Sequence, residues 1–299
     1  MSSSPEFQPL RISHKEIIQK YLPSQGLLFC EFSFVNLFLW GDSYPVEWAI
    51  WKEKLVLYST SQGYLFLPEH ESCSPEELRE LSQVTQENGR SGNIFFLRRD
   101  YAEPRRNLLE PFFIMENQRD YADYIYESPA LAHLKGSKFA KRRNQINQFY
   151  KQNRHVKCIP LHPELYEEYK PLLKRWSRGK DTYEISQIEE ERKALCRAFT
   201  FYKDLELQGL VLYADNHVAG LSLFSKCNED FGLVHFEKAD VRYKGAYQVI
   251  NKETAKILEK QCPYINREQD LGIPGLRHAK ESYLPYRLLE TSFLYPRKE

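Results

Sequence analysis

The sequence predicts an α/β protein with mixed α+β sheets, laid out as two copies of one unit. Three observations lead there. The 299 residues are enough for two domains of ordinary size. Aromatic residues make up 14% of the chain, with 20 Tyr and 18 Phe, which favours sheet. The order of elements read along the first half also recurs in the second.

The first half opens on a predicted helix over about residues 8–21, with Leu10, Ile17, Ile18 and Tyr21 on its apolar side. Within Glu31–Trp40, Glu31 or Ser33 starts a short buried helix that Gly41 ends. Trp48–Trp51 and Leu55–Tyr58 read as strands joined by a Lys52–Lys54 turn, and Tyr64–Leu67 as a third. Ser74 is a good N-cap and Pro75 is tolerated at the first helical position, so a helix starts there and stops at Asn88-Gly89. Strands at Asn93–Leu97 and Phe112–Met115 follow. In the second half, helices are expected from Pro163 to Trp176 and from Ile188 to Tyr202. A hairpin joins Leu210–Tyr213 to Val218–Phe224 through the turn residues 214–217. Strand Gly232–Glu237, helix Tyr247–Gln261, strand Tyr264–Arg267, helix Gly275–Glu281 and strand Arg287–Leu294 complete it. The domains are drawn as 1–130, a basic linker helix at 131–155, and 156–299 carrying the active site. Residue identity between the halves is low, and the competing reading is one larger α+β domain.

A net charge of +1 excludes a global basic field for nucleic acid or anionic membrane. The six cysteines are scattered, without a CxxC pair or metal-ligand spacing, so no metal is expected. The polar opening Met-Ser-Ser-Ser-Pro lacks a signal-peptide core, and the apolar run Gly26–Trp40 is interrupted by Glu31, Ser33 and Asn36. A soluble, cytoplasmic protein is expected.

Local charge is another matter. From Lys135 to Glu164 no acidic residue occurs, while Lys135, Lys138, Lys141, Arg142, Arg143, Lys151 and Arg154 do. Phe139, Ile146 and Phe149 give this stretch roughly helical spacing. Such a face suits phosphates of tRNA, coenzyme A or a lipid head group, with Lys138, Lys141, Arg142 and Arg143 at its centre. The plainer alternative is a solvated helix leaning on Tyr183-Glu184 or on the Glu189–Glu191 run.

Chemistry is expected where Val234–Asp240 leads into a long helix. Strict alternation places His235 and Glu237 on one face of the strand, a plausible general base. The Arg242-x-x-Gly245 turn, with Lys244 and Ala246, opens a helix N-terminus that favours phosphate. It resembles the donor-binding turn of GNAT acyltransferases, though Tyr247 stands where Gly or Ala is expected and would crowd a pyrophosphate. Further on, Asp270-Leu-Gly-Ile-Pro-Gly275 reads as a tight turn, with Pro274 opening a short helix that puts Arg277 and Lys280 on one face.

Glu31-Phe-Ser-Phe-x-Asn-Leu-x-x-Trp40, Lys141-Arg-Arg-Asn-x-Ile-Asn-x-Phe149, His235-Phe-Glu-Lys-Ala-Asp240, Gly245-Ala-Tyr-Gln-x-Ile-Asn251 and Ile265–Pro285 together resemble the DUF2156 family. That family is related to the C-terminal catalytic domain of bacterial phosphatidylglycerol lysyltransferase, and through it to the Fem aminoacyltransferases. The resemblance implies tandem GNAT-like acyltransferase domains, an aminoacyl-tRNA donor, and an amine or hydroxyl acceptor on a lipid, peptide or small molecule. It implies that Glu237 sits beside the reaction centre. It also implies that Arg267, Asp270, Arg277, Tyr283 and Lys280 line a substrate cleft, with backbone N–H groups or Lys280 steadying the oxyanion. The lipid lysyltransferases carry a large membrane-embedded portion, which is not read here and leaves a lipid acceptor without special favour. Three readings stand: an aminoacyl-tRNA-dependent transferase, an acyl-CoA-dependent N-acyltransferase, and a catalytically silent binding protein of the same fold. None of them requires a cofactor beyond the donor.

Overall fold

The computed structural model describes residues 4–176 and 182–297. Met1–Ser3 and the side chains of Tyr183 and Glu184 lie outside the described residues. The strands are β1 (Gln8–Pro9), β2 (Val46–Trp51), β3 (Lys54–Ser59), β4 (Tyr64–Phe66), β5 (Ile94–Arg98), β6 (Phe113–Glu127), β7 (Val156–Pro160), β8 (Gln208–Ala214), β9 (His217–Lys226), β10 (Phe231–Ala239), β11 (Tyr264–Asn266) and β12 (Arg287–Pro296). The chain divides into two compact units. The first comprises 1–123, 269–277 and 288–299, and the second 124–268 and 278–287. Two stretches of the C-terminal half thus cluster with the first unit, and residues 131–155 lie wholly within the second.

In the first unit the strand order is β1-β2-β3-β4-β5-β12, followed by β6. Lys52 and Glu53 both take positive φ (47° and 63°) and close β2 onto β3 with Trp51 opposite Lys54, the twist a two-residue hairpin needs. β4 and β5 are parallel, so a crossover is required, and helix Pro75–Glu87 supplies it. Its start is the expected one. Ser74 Oγ accepts from Glu77 N at 3.2 Å, and the Glu77 carboxylate accepts from Ser74 N at 3.0 Å. Leu78 and Leu81 then pack with Val56, Leu65 and Ile94 in the core. The predicted helix over 8–21 forms only in part. Gln8–Pro9 pairs with β2 instead, leaving a helix of five residues, Lys15–Gln19. Pro9 lacks the N–H a helix interior would use and fits an edge strand. β6 is far longer than the expected Phe112–Met115, because its polar middle hides the alternation.

In the second unit the order is β11-β10-β9-β8-β7. β11 runs parallel to β10, joined by helix Ala246–Leu258, and the other pairs are antiparallel. The predicted β8–β9 hairpin forms, with Asp215 and Asn216 at φ 49° and 64°. Helix Ala246–Leu258 buries Ala246, Val249, Ile250, Asn251, Thr254, Ala255 and Leu258, a stripe of helical period that packs on β9 and β10. Asn251 and Thr254 are polar members of that apolar stripe. Among the described residues no helix is long and apolar enough to cross a membrane.

Candidate active site

The second unit places Glu237 near the end of β10, opposite Ser222 of β9 and under helix Ala246–Leu258. Its Oε1 accepts from Arg267 Nη2 at 2.9 Å and its Oε2 from Asn251 Nδ2 at 3.1 Å. Both side chains of the ion pair are largely buried, 9% exposed for Glu237 and 15% for Arg267. The Arg267 guanidinium also lies 5.2 Å from the Tyr283 ring and 5.8 Å from the Tyr126 ring. Burial opposes its charge, but the Glu237 carboxylate and the two tyrosines outweigh that and hold its pKa above the usual guanidinium value. Burial pushes the Tyr283 hydroxyl up to about 12 against the pull of Arg267, so the phenol stays protonated.

His235 does not share this face. The register between β10 and β9 shifts between Val234 and Phe236, a bulge that inserts one residue and reverses the alternation. Glu237 therefore stands with Ser222, while His235 Nε2 lies 2.8 Å from Ser225 Oγ on the other side. Its Nδ1 is 3.9 Å from Glu268 Oε1. Burial lowers its pKa to about 3, so the imidazole is neutral.

Lys280 is buried, and its ammonium donates to the backbone carbonyls of Arg267 and of Glu268, the latter at 3.0 Å. Tyr126 Oη donates to the Lys280 carbonyl at 2.8 Å. Glu268 holds φ at 57°, a left-handed conformation uncommon outside glycine. Lys280 thus fixes the backbone that carries Arg267. The expected helix forms over Pro274–Glu281 and carries both Arg277 and Lys280, each cation engaged within the protein. Arg277 belongs to the first unit, where it donates to Asp270 (2.9 and 2.8 Å) and to Asp120 (2.6 Å). The fully buried Asp270 carboxylate also accepts from Arg119 at 3.1 Å and from Gly272 N at 2.9 Å, which shapes the predicted turn.

At the donor-type turn, Arg242 donates to Asp240 through its backbone N–H (3.1 Å), Nε (3.1 Å) and Nη2 (2.7 Å). Lys244 is exposed and Ala246 is buried. Gly245 caps helix Ala246–Leu258 at φ 93°. A Cβ there would collide with the Gln145 carbonyl and fall 3.0 Å from Phe149 Cβ. This glycine therefore seats helix Ala140–Gln152 as well as turning the chain. On that basic helix and its approach, Lys138 and Lys141 are exposed. Arg143 is drawn inward to the carbonyls of Leu134 and Gly136, the latter at 2.6 Å. Arg142 donates to Gln145 Oε1 at 2.9 Å and to Ser282 Oγ, and lies 5.0 Å from the Tyr283 ring. Of the acidic run weighed against it, Glu191 pairs with Lys238 at 2.6 Å and Glu189 with Arg192.

Two features escaped sequence reasoning. Asn251 is one, and the signal was a polar residue at a core position of an amphipathic helix. The other lies in the first unit. Cys30 Sγ donates to Glu31 Oε2 and to Asp123 Oδ1, each at 3.3 Å, and Cys30 N donates to Asp123 Oδ2 at 2.7 Å. Gln269 donates to Glu31 Oε1. Cys30, Glu31 and Asp123 offer ligand-type atoms within 4.8 Å of one another, a grouping that scattered cysteines do not announce. Burial, and behind it the Asp123 carboxylate, push the Glu31 carboxyl up to about 8.

These geometries can be set beside known proteins. A conserved protein of unknown function from Bacteroides thetaiotaomicron is 29% identical with a TM-score of 0.88, over 98% of this chain and 100% of that one. L-PGS from Bacillus licheniformis superposes at TM-score 0.65 with 11% identity, over 98% and 94%. A GNAT-family acetyltransferase from Colwellia psychrerythraea gives 0.51 at 8% identity, over 98% and 100%, a likeness of fold. The uncharacterized protein MYCGA3080 of Mycoplasmoides gallisepticum is 25% identical over 168 residues, 54% of this chain and about half the length (52%) of that curated relative. The mixed α/β, GNAT-like fold is thus established. The profile of the family described as "Phosphatidylglycerol lysyltransferase, C-terminal" matches residues 28–295, and the chain belongs to that family.

Proposed function

We propose that this chain is a GNAT-type acyltransferase that moves an aminoacyl group from aminoacyl-tRNA to an amine or hydroxyl of a lipid, peptide or small-molecule acceptor. Family membership across residues 28–295 is the observation that carries the reading. In the reaction the nucleophile's nitrogen or oxygen bonds to the ester carbonyl carbon, the bond to the tRNA ribose oxygen breaks, and the proton passes from nucleophile to ribose oxygen. Glu237 suits the proton's path. Arg267 and Asn251 each take one lone pair of its carboxylate, and each oxygen retains another. Arg267 supplies positive charge in a desolvated setting, where it steadies a developing oxyanion best. Lys280, bound to two carbonyls, acts as a positioning residue for Arg267. The exposed Lys138 and Lys141 suit donor phosphates. The acyl-CoA alternative rests on the Gly245 turn, against which the Gln145 carbonyl is already packed.

The test is incubation with radiolabelled aminoacyl-tRNAs and a cell extract of lipids and metabolites. Label should move from tRNA to an acceptor, and Glu237→Gln should slow transfer by about 100-fold or more. Absence of transfer from every aminoacyl-tRNA, with transfer from acyl-CoA in a parallel arm, would replace this reading by the alternative.

A further inference from the structure

Among the described residues of the second unit, the buried polar atoms without a hydrogen-bond partner within the protein include three on helix Ala246–Leu258 and the strand beneath it: Ser222 Oγ, Asn251 Oδ1 and Thr254 Oγ1. Their residues are 0%, 2% and 1% exposed. Buried polar groups are destabilising when left unsatisfied, and three together are unusual in one helix–sheet interface.

They converge. Ser222 is the registered partner of Glu237 across β9 and β10, so the two side chains stand together on the face covered by helix Ala246–Leu258. Asn251 reaches that rung, with Nδ2 3.1 Å from Glu237 Oε2. The neighbouring rungs fix where the helix lies. A Cβ on Gly220, two residues before Ser222, would meet Ile250 Cβ at 3.7 Å. A Cβ on Gly232, toward the other end of β10, would meet Leu258 Cδ2 at 2.6 Å. The Ser222–Glu237 rung therefore falls under the turn between, and Asn251 and Thr254 share that turn's face at i, i+3 spacing. The orientation of Asn251 is also fixed. Exchanging its amide atoms would turn Oδ1 onto the Glu237 carboxylate, acceptor against acceptor.

We propose that Ser222, Asn251 and Thr254 form a binding site for one buried water molecule, which ties the sheet to the helix behind Glu237. The chemistry matches a single water. It donates one proton to Asn251 Oδ1 and one to a hydroxyl, and accepts from the other hydroxyl, the usual complement of about three hydrogen bonds. The proposal does not depend on which acyl group the protein transfers, or on whether it transfers one.

Two measurements on the whole chain test it. The first is a double-mutant cycle in urea unfolding with Ser222→Ala and Thr254→Val. If one water bridges both hydroxyls, each substitution lowers the folded-to-unfolded ratio by about 5–20-fold, and the double variant loses far less than the product of the two. If the hydroxyls are simply orphaned, each substitution leaves stability unchanged or raised, or the effects multiply, and either result overturns the site. The second is a crystal structure near 1.5 Å. Density for a water at about 2.7–3.2 Å from all three oxygens is expected. Hydroxyls turned onto backbone carbonyls, with no bridging density, would overturn it.

Discussion

Each unit buries a glutamate, and the two are handled in opposite ways. In the second unit Glu237 meets a cation, Arg267, and an amide donor, Asn251. In the first, Glu31 meets a second carboxylate, Asp123, a thiol and the Gln269 amide, and its pKa rises to about 8. The same residue type is thus an ion-pair partner in one place and a protonated acid at neutral pH in the other. At Glu31 burial is the larger cause and the Asp123 carboxyl adds to it, whereas Glu237 is set against a guanidinium and an amide donor. Burial first, and the neighbouring Asp123 carboxyl second, keep Glu31 protonated at neutral pH. Glu237, held through one oxygen by Arg267 and through the other by Asn251, has a defined direction, which proton transfer requires.

Breaking the ion pair should have the largest effect. Arg267→Met leaves a carboxylate buried without its cation and should cost about 3–5 kcal/mol in urea unfolding. Adding Glu237→Gln to it should recover part of that loss, so the cycle through both variants reports coupling. Additive losses would mean that the pair is incidental to stability. Next comes Gly245→Ala. Its φ of 93° and the collision with the Gln145 carbonyl should together cost about 2–4 kcal/mol by thermal or chemical unfolding. A variant as stable as the parent would show that helix Ala140–Gln152 shifts freely.

Glu31→Gln sharpens the first unit's half of the comparison. The folded pKa of Glu31 lies above its ordinary 4.5, so the folded state holds the proton more tightly than the unfolded chain does. Its contribution to stability is complete below pH 4.5 and declines as pH rises toward about 8. Glutamine mimics the protonated form at every pH. Unfolding free energies measured from pH 5 to pH 8 should therefore favour the variant increasingly, by about 1–2 kcal/mol at the upper end after allowance for partial solvent screening. A constant difference across that range would remove the protonated Glu31 from the account.

The sequence carried the elements better than their partners. Lys52-Glu53, Ser74-Pro75 and Asp215-Asn216 are local signals, and each produced its turn or cap where expected. β12 was legible as a strand, but its pairing with β5 through Ser292 and Leu97 joins residues nearly two hundred positions apart, which no periodicity encodes. Glu237 and Arg267 were singled out from one strand and one charged segment, and the fold brings them into contact. Arg277 and Arg242 looked alike in the sequence as cations beside glycine turns, yet each is held by a nearby aspartate, Asp270 and Asp240. Charge is visible in a sequence, whereas its neutralisation depends on geometry. The bulge in β10 is the sharpest case. One inserted residue separates His235 from Glu237, and nothing in Val234–Ala239 marks where it falls.

That separation gives the smallest predicted effect and the one that most directly tests the bulge. The His235 pKa is lowered from 6.5 to about 3 by burial, so between those values the unfolded chain binds a proton that the folded state does not. Stability from this residue is complete above pH 6.5 and is lost as pH falls toward 3, opposite in sign to Glu31. Over pH 6.5 to 5.5 the loss should be about 1 kcal/mol. His235→Gln, which retains a hydrogen-bonding group for Ser225, should abolish that slope and leave the slope due to Glu31 exposed. Were His235 instead on the Glu237 face, the carboxylate would favour its charged form and raise its pKa. The wild-type acid slope would then reverse, stability from this residue rising as pH falls, and His235→Gln would lose that gain.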